Sequence, residues 1–385
     1  MQRPLKILHC PDLAGGHPYG LARAERAIGL SSHCVALRPH PFGYQADQFL
    51  CSGGEIASQV ARWRLLAMAL RTYDVVHFNF GQSTMPQRVA SDTTNRNRYP
   101  SWVKLLYNLY AGVFELKDLR LLKRMGKSVI MTYQGDDARQ GGFLRSHYAI
   151  SPVDEPCYYT RESDRLKQER IRAVDCYADA IFAVNPDLLH VLPSRAKFLP
   201  YAHLDVGSIR PAPPKWNPTP VVIHAPSHRG LKGTKHVLNA VHRLRSEGIA
   251  LKFVLIENLS HSEAMRLYEE ADLLVDQLLY GWYGGLAVEL MALGKPVVAY
   301  IREEDLDFVP SAMRTELTVV NATPESIYRV LRELVTVRRY ELTELGLRGR
   351  KYVENWHDPI RVASMLKGTY ESIFELNRAR TVPHH

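Results

Sequence analysis

The stretch Asp276-Gln277-Leu278-Leu279-Tyr280-Gly281-Trp282-Tyr283-Gly284-Gly285-Leu286-Ala287-Val288-Glu289-Leu290-Met291-Ala292-Leu293-Gly294-Lys295-Pro296-Val297-Val298 decides the fold. An apolar run ending near Val275–Asp276 reads as a strand, the glycines as a loop, and Leu286 onward as a helix. Glycines let a backbone approach a ligand closely, and a helix start offers unpaired N–H groups to an anion. Glu289 falls one turn into that helix, where an acid suits hydroxyl groups better than phosphates. Gly294 stops the helix and Pro296 opens the next strand.

Short runs rich in Val, Ile and Leu recur on both sides of this stretch. Before the middle of the chain they are residues 5–9, 34–37, 75–78, 128–133, 180–184 and 197–199. After it they are residues 221–224, 252–256, 273–275, 296–300 and 317–320. They do not alternate with polar residues, as expected of strands covered on both faces in a parallel sheet. The segments between them carry helical spacing, as in Val237, Leu238, Val241 and Leu244. Alternating strands and helices predict α/β architecture.

The chain has 385 residues, more than one core usually organises, and Pro200, Pro211, Pro213, Pro214, Pro218 and Pro220 crowd its middle. The expected division is 1–200, a proline-rich linker 201–220, 221–375 and a tail 376–385. The predicted fold is two doubly wound, Rossmann-like domains facing a cleft, with the last helix able to cross back to the amino-terminal domain.

Composition narrows the classes. The chain is 46% hydrophobic and 23% charged, ordinary for a globular protein. No apolar run reaches the ~20 residues of a membrane-spanning helix, and no leader peptide is predicted. Cys10, Cys34, Cys51, Cys157 and Cys176 are scattered, so neither a zinc site nor a disulfide framework is expected, and a reducing cytoplasm fits. Residues 1–200 hold 26 Lys and Arg against 18 Asp and Glu, an excess of 8 within the overall +9. A basic half fits an anionic partner or simply a basic soluble surface. No nucleic-acid motif accompanies it, so no nucleic-acid partner is expected.

Three further stretches carry chemistry. Val221–Thr234 runs from a strand into a loop with Arg229 and Lys232 three residues apart, a place for cations to stabilise a leaving phosphate. Pro11–Gly20, with Gly15 and Gly16, follows the first strand but lacks the dinucleotide fingerprint of a dehydrogenase. Met131–Arg139 ends another strand with Gln134, Gly135, Asp136 and Asp137; an acidic loop capping the next helix is the competing reading. His9, His77 and His224 fall in or at strands and read as core or cleft residues, His9 as core.

The 276–298 stretch resembles the donor-binding signature of family-4 retaining glycosyltransferases of the GT-B type. The match covers Tyr283-Gly284, Glu289, Met291-Ala292, Gly294 and Pro296-Val297. The resemblance implies that Glu289 binds a nucleotide ribose and that Gly281, Trp282, Tyr283, Gly284 and Gly285 line the donor, with Gly15 and Gly16 near the reacting sugar. It places the phosphate-binding cations at Arg229 and Lys232. Gly281 stands where the family's first Glu would contact the donor sugar; Asp276, a backbone group or another mode of recognition remain open. Gln134 stands at the family's His, with Asp136 and Asp137 the nearest acids. The implied activity is metal-independent transfer of a sugar, with retention, from a nucleotide-diphosphate sugar to a glycan, lipid-linked or small-molecule acceptor, as in polysaccharide biosynthesis. No cofactor beyond that substrate is expected. A non-catalytic sugar-nucleotide-binding or partner protein on the same fold is the alternative. Residues 99–127 mix Trp102, Leu105, Leu106, Leu109 and Val113 with Lys117, Arg120, Lys123, Arg124 and Lys127. They read either as a contact with an anionic membrane at the inner face of the plasma membrane or as an amphipathic helix pair packed on the sheet.

Overall fold

The computed structural model describes residues 3–90, 100–259 and 261–381. Tyr99 and the last four tail residues lie outside the described residues. The chain forms two compact units. The first comprises residues up to Ser146, Pro156–His203 and the segment from Pro359 on. The second comprises His147–Glu155 and Leu204–Asp358.

The first unit holds a parallel sheet of β1 (Lys6–Cys10), β2 (Ser31–Ala36), β3 (Gln48–Phe49), β4 (Val75–Asn79), β5 (Ser128–Tyr133), β6 (Ala180–Ala183) and β7 (Lys197–Phe198). Its order is β3-β2-β1-β4-β5-β6-β7. Successive strand residues point to opposite faces, and the core divides accordingly. Val76, Phe78, Val129 and Met131 meet Leu65, Leu119 and Val174 on one face. Val75 and Ile130 meet Leu21, Val362, Leu366 and Tyr370 on the other. The last three lie on the helix Pro359–Thr381, which therefore completes the first sheet's covering layer.

A buried polar chain fastens that helix. The Tyr370 hydroxyl donates to Glu25 Oε1 at 2.8 Å and lies 2.8 Å from His77 Nδ1. The other His77 nitrogen meets Thr132 Oγ1 at 2.6 Å, and His9 Nε2 meets Glu25 Oε2 at 2.9 Å. Burial holds His77 well below its usual range, so it is neutral: Nδ1–H donates to Tyr370 and Nε2 accepts from Thr132. His9 and His77 are thus interior residues.

The second unit holds β8 (Val221–His224), β9 (Lys252–Leu255), β10 (Leu273–Val275), β11 (Val297–Ala299) and β12 (Val320–Asn321), all parallel, in the order β12-β11-β10-β8-β9. Val222, Leu273, Val275 and Val298 pack against Val237, Val241 and Leu244 of the helix Thr234–Ser246 and Leu331 and Leu334 of Ile327–Val335. On the helices Gly285–Ala292 and Leu342–Trp356, glycines permit close approach. Any side chain at Gly346 would strike the Gly294 carbonyl, and Gly349 abuts Met291.

Candidate functional site

In a doubly wound sheet, ligands bind at the carboxyl ends of the strands where the strand order reverses. In the second unit that point lies between β8 and β10, whose following loops are residues 225–233 and 276–284. The two loops are joined directly. Leu278 N–H donates to the Lys232 carbonyl at 3.1 Å. The Lys232 ammonium donates to Gln277 Oε1 and lies 5.3 Å from the Tyr280 ring centre, while Gln277 Nε2 donates to the Trp282 carbonyl. Gly233, at φ +77°, permits the junction, because a side chain there would crowd Leu278 and Leu279 at 3.2–3.3 Å. His224 braces the base from below. Its Nδ1–H donates to the Val275 carbonyl and its Nε2 accepts from Thr234 Oγ1, each at 2.8 Å. Burial keeps its pKa low and the ring neutral.

The glycine loop is rigidly built. Gly284 N–H donates to Asp276 Oδ2 at 2.7 Å, so the carboxylate open as a sugar ligand in the sequence anchors its own loop. Gly281 sits at φ +79°, and a Cβ there would come within 2.7–2.9 Å of Arg302. The Arg302 guanidinium pairs with Asp305 at 2.8 Å, donates to the Ile150 carbonyl at 3.0 Å and lies 3.4 Å from the Tyr148 ring centre. The position that the resemblance gives to a sugar-contacting acid is thus packed against a buried cation paired with Asp305. Arg302 escaped sequence reading because nothing links residues 281, 302 and 148 except the fold.

Trp282 and Tyr283 have fully buried side chains, stacked at 4.4 Å. The Tyr283 hydroxyl meets Tyr352 at 3.0 Å and His357 Nε2 at 2.8 Å. The Tyr283 ring ties the loop to the helix Leu342–Trp356 and to His357 just beyond it, with Trp282 stacked on it. Gly284 caps the helix Gly285–Ala292, on which Glu289 is half-buried one turn in. Arg229 has a different partner from Lys232. It is exposed and forms a two-pronged pair with Glu257, with Nε at 2.8 Å from Oε1. Together the two loops offer one half-buried ammonium, close-set backbone and an acid on the following helix, a combination able to hold an anion beside a hydroxylated group.

The first unit reverses between β1 and β4. Asp12 links the loops that follow them, accepting from Ala14 N–H at 2.6 Å and Gln82 Nε2 at 3.0 Å. Burial pushes the Asp12 carboxyl above its ordinary range. Gly15 and Gly16 are both left-handed, at φ +62° and +69°. A Cβ on Gly15 would lie 3.6 Å from Gln134 Oε1, so the first loop reaches the end of β5. Gln134 Nε2 is buried with no hydrogen-bond partner among the described residues, as is Asn79 Oδ1 at the end of β4. Phe80 and Gly81, both left-handed, fold the chain over Tyr133 and Asp137.

The two acids beside Gln134 differ. Asp136 accepts from Tyr158 at 2.8 Å and Tyr159 at 2.5 Å and lies 3.5 Å from Arg139. Burial opposes its charge, but Arg139, Lys167 and the two hydroxyls outweigh it and hold the carboxyl below its usual range. Asp137 accepts from the Gln134 N–H at 3.1 Å and the Gly135 N–H at 2.6 Å, yet burial pushes its pKa up to about 7. The structure thus brings Gly15, Gln134 and Asp137 together, while Asp136 is bound into a Tyr–Arg cluster. Among the described residues, no group of three or more His, Cys, Asp and Glu is placed to hold a metal ion.

No protein-family profile matches the sequence, and no curated protein matches it. Solved structures do match the whole chain. A sucrose-phosphate synthase of Thermosynechococcus elongatus is 13% identical, covers 97% of this chain and 100% of its own, and has a TM-score of 0.58. HepE of Anabaena, in complex with UDP-glucose, is 11% identical over 96% of this chain and 100% of its own, with a TM-score of 0.56. A glycosyltransferase of Rickettsia africae is 12% identical over 97% and 99%, at 0.52. The fold is that of the GT-B glycosyltransferases: two α/β units, each with helices on both faces of a parallel sheet.

Proposed function

We propose that the protein is a retaining glycosyltransferase that moves a sugar from a nucleotide-diphosphate sugar to a hydroxyl acceptor. The junction of Lys232 with Gln277 at the β8–β10 reversal carries this reading. In it the donor diphosphate lies against Lys232 and the backbone of residues 281–285, and Glu289 takes the ribose hydroxyls. Negative charge grows on the diphosphate as the glycosidic bond breaks. A preorganised ammonium stabilises that charge without reorganising, and no metal is needed. Arg229 is the second cation once it leaves Glu257. The first unit holds the acceptor, with the Gln134 amide bound to a hydroxyl. Because Gln134 cannot titrate, the departing phosphate receives the acceptor proton, as retention permits. The UDP-glucose bound by HepE supports a uridine nucleotide as the first donor to test.

A membrane-linked acceptor is favoured by a separate observation. On the helix Ser101–Phe114, Trp102, Leu105, Leu106, Leu109 and Val113 are all exposed, as are Leu121 and Met125 beyond it. Phe114 meets Trp63 at 5.2 Å, and Trp63, Ile56 and Val60 extend the exposed apolar row onto the helix Glu55–Thr72. Lys117, Arg120 and Arg124 are exposed on the following helix, Lys117–Arg124. An apolar row with a basic flank suits an anionic bilayer surface. No helix among the described residues is long and apolar enough to cross a membrane.

Calorimetry of the full chain with UDP, GDP and ADP tests the donor reading, followed by nuclear magnetic resonance of the product's anomeric configuration. Saturable binding of one nucleotide and a retained configuration are expected. Failure of every nucleotide to bind, or an inverted product, overturns it. Sedimentation with anionic against zwitterionic vesicles tests the bilayer contact.

A further inference from the structure

The proline-rich segment around Pro211–Pro220 is fixed to the second unit. Ala212 N–H donates to the Leu293 carbonyl at 2.7 Å, Thr343 Oγ1 donates to the Pro214 carbonyl at 2.7 Å, and Asn217 Nδ2 donates to Asp272 at 3.0 Å. Arg339 Nη2 donates to the Asn217 carbonyl. On this anchored strip Trp216 stands 75% exposed, and Tyr340 beside it is equally exposed. Between them opens a cavity of about 220 Å³ whose walls include Lys215, Trp216, Asp272, Arg339, Tyr340 and Thr343.

The walls have a definite chemistry. The Arg339 guanidinium lies 3.9 Å from the Trp216 ring centre and braces the indole. Its Nε is buried with no hydrogen-bond partner among the described residues. Asp272 is satisfied by Asn217 and by the Val221 N–H at 2.8 Å. Two cations against one internally bonded acid leave the cavity positive. Pockets that enclose drug-sized ligands run about 300–1,000 Å³, so this one suits a single ring. It lies at the start of β8 and just before β10, the edge of the sheet opposite Lys232.

We infer that this cavity is a second saccharide site, holding one ring of an acidic glycan away from the transfer chemistry. The ring lies against Trp216 and Tyr340, and its anionic substituent meets Arg339 and Lys215. That the ring is a saccharide rests on the glycosyltransferase reading; the cavity, its aromatic walls and its charge do not. A site there tethers a distant part of the acceptor and raises its local concentration at the reacting end.

The test is calorimetry of the full chain with a glucuronate-containing disaccharide, a neutral glucose disaccharide and UDP. The acidic disaccharide is expected to bind saturably and the neutral one at least tenfold more weakly. Trp216→Ala and Arg339→Gln should each weaken acidic binding at least tenfold. Tyr340→Ala, a surface change that leaves the anchoring bonds intact, should weaken it severalfold, and UDP affinity should be unchanged in it. No saturable acidic binding, equal neutral binding, or binding indifferent to both Trp216→Ala and Tyr340→Ala overturns the inference. So does UDP binding that is lost in Trp216→Ala. If UDP fails on the wild-type chain while the disaccharide still binds through Trp216, the transferase reading falls and the saccharide site stands.

Discussion

Lys232 and Gln277 come from loops 45 residues apart, and the ammonium of one donates to the amide oxygen of the other. The pairing joins the two loops at the strand ends and holds the ammonium where the chain reverses. Lys232→Ala should weaken nucleoside-diphosphate binding by roughly 10–100-fold, from the ~1.5–3 kcal/mol of a hydrogen bond to a charged group. Calorimetry measures it; an unchanged affinity removes Lys232 from the site.

Glu289 is a half-buried acid on the helix that Gly284 caps. If it reads ribose hydroxyls, Glu289→Ala should cost nucleoside diphosphates about tenfold in affinity, or ~1.4 kcal/mol. Inorganic pyrophosphate, which has no ribose, should bind equally well to both proteins. Parallel losses for the two ligands would falsify the ribose assignment.

Gly281 lies at φ +79° against the Arg302 guanidinium. Gly281→Ala should destabilise the protein by more than the ~1–2 kcal/mol of the left-handed backbone alone, because the added methyl also displaces Arg302. Chemical denaturation of both forms checks this, and a Gly281→Ala protein as stable as wild type refutes the close packing.

Asp137 has a pKa raised to about 7 in the folded protein by burial. Its folded form therefore holds a proton that the unfolded chain has already released. Stability from this group is present at low pH and is lost as pH rises from about 4 through about 7. Asp137→Asn keeps an acceptor for the Gln134 and Gly135 N–H groups and removes the titration. Its melting temperature should fall less than that of wild type between pH 5 and 8. Parallel curves would show that Asp137 is ionised throughout.

The parallel strands were legible because their Val, Ile and Leu runs are buried on both faces. Val221–His224 and Leu273–Val275 end where their residues predict. β3 was not, since Gln48–Phe49 is a two-residue edge strand with both residues exposed and no apolar run. The strand–glycine loop–helix order of residues 273–292 was legible through its glycines. The loop's supports were not: Gln277, Arg302 and Tyr148 act across loops, and spacing along a chain carries no trace of that. The burial of the Trp282 and Tyr283 rings was equally hidden, because an aromatic beside glycines reads the same whether it faces a ligand or a core. The sequence allowed the last helix to return to the amino-terminal domain, but the buried Tyr370–Glu25 bond of Pro359–Thr381 depends on residues 345 positions apart.

That helix has a consequence for synthesis on the ribosome. Domains usually finish folding in the order in which they are made. Here the second unit has all its residues once Asp358 is made, while the first still lacks the helix that carries Tyr370. Until then Leu21 of the helix His17–Ala27 and Ile130 of the first sheet lack the cover of Val362, Leu366 and Tyr370, and Glu25 lacks its hydroxyl donor. The half of the protein that begins first is therefore the half that is completed last.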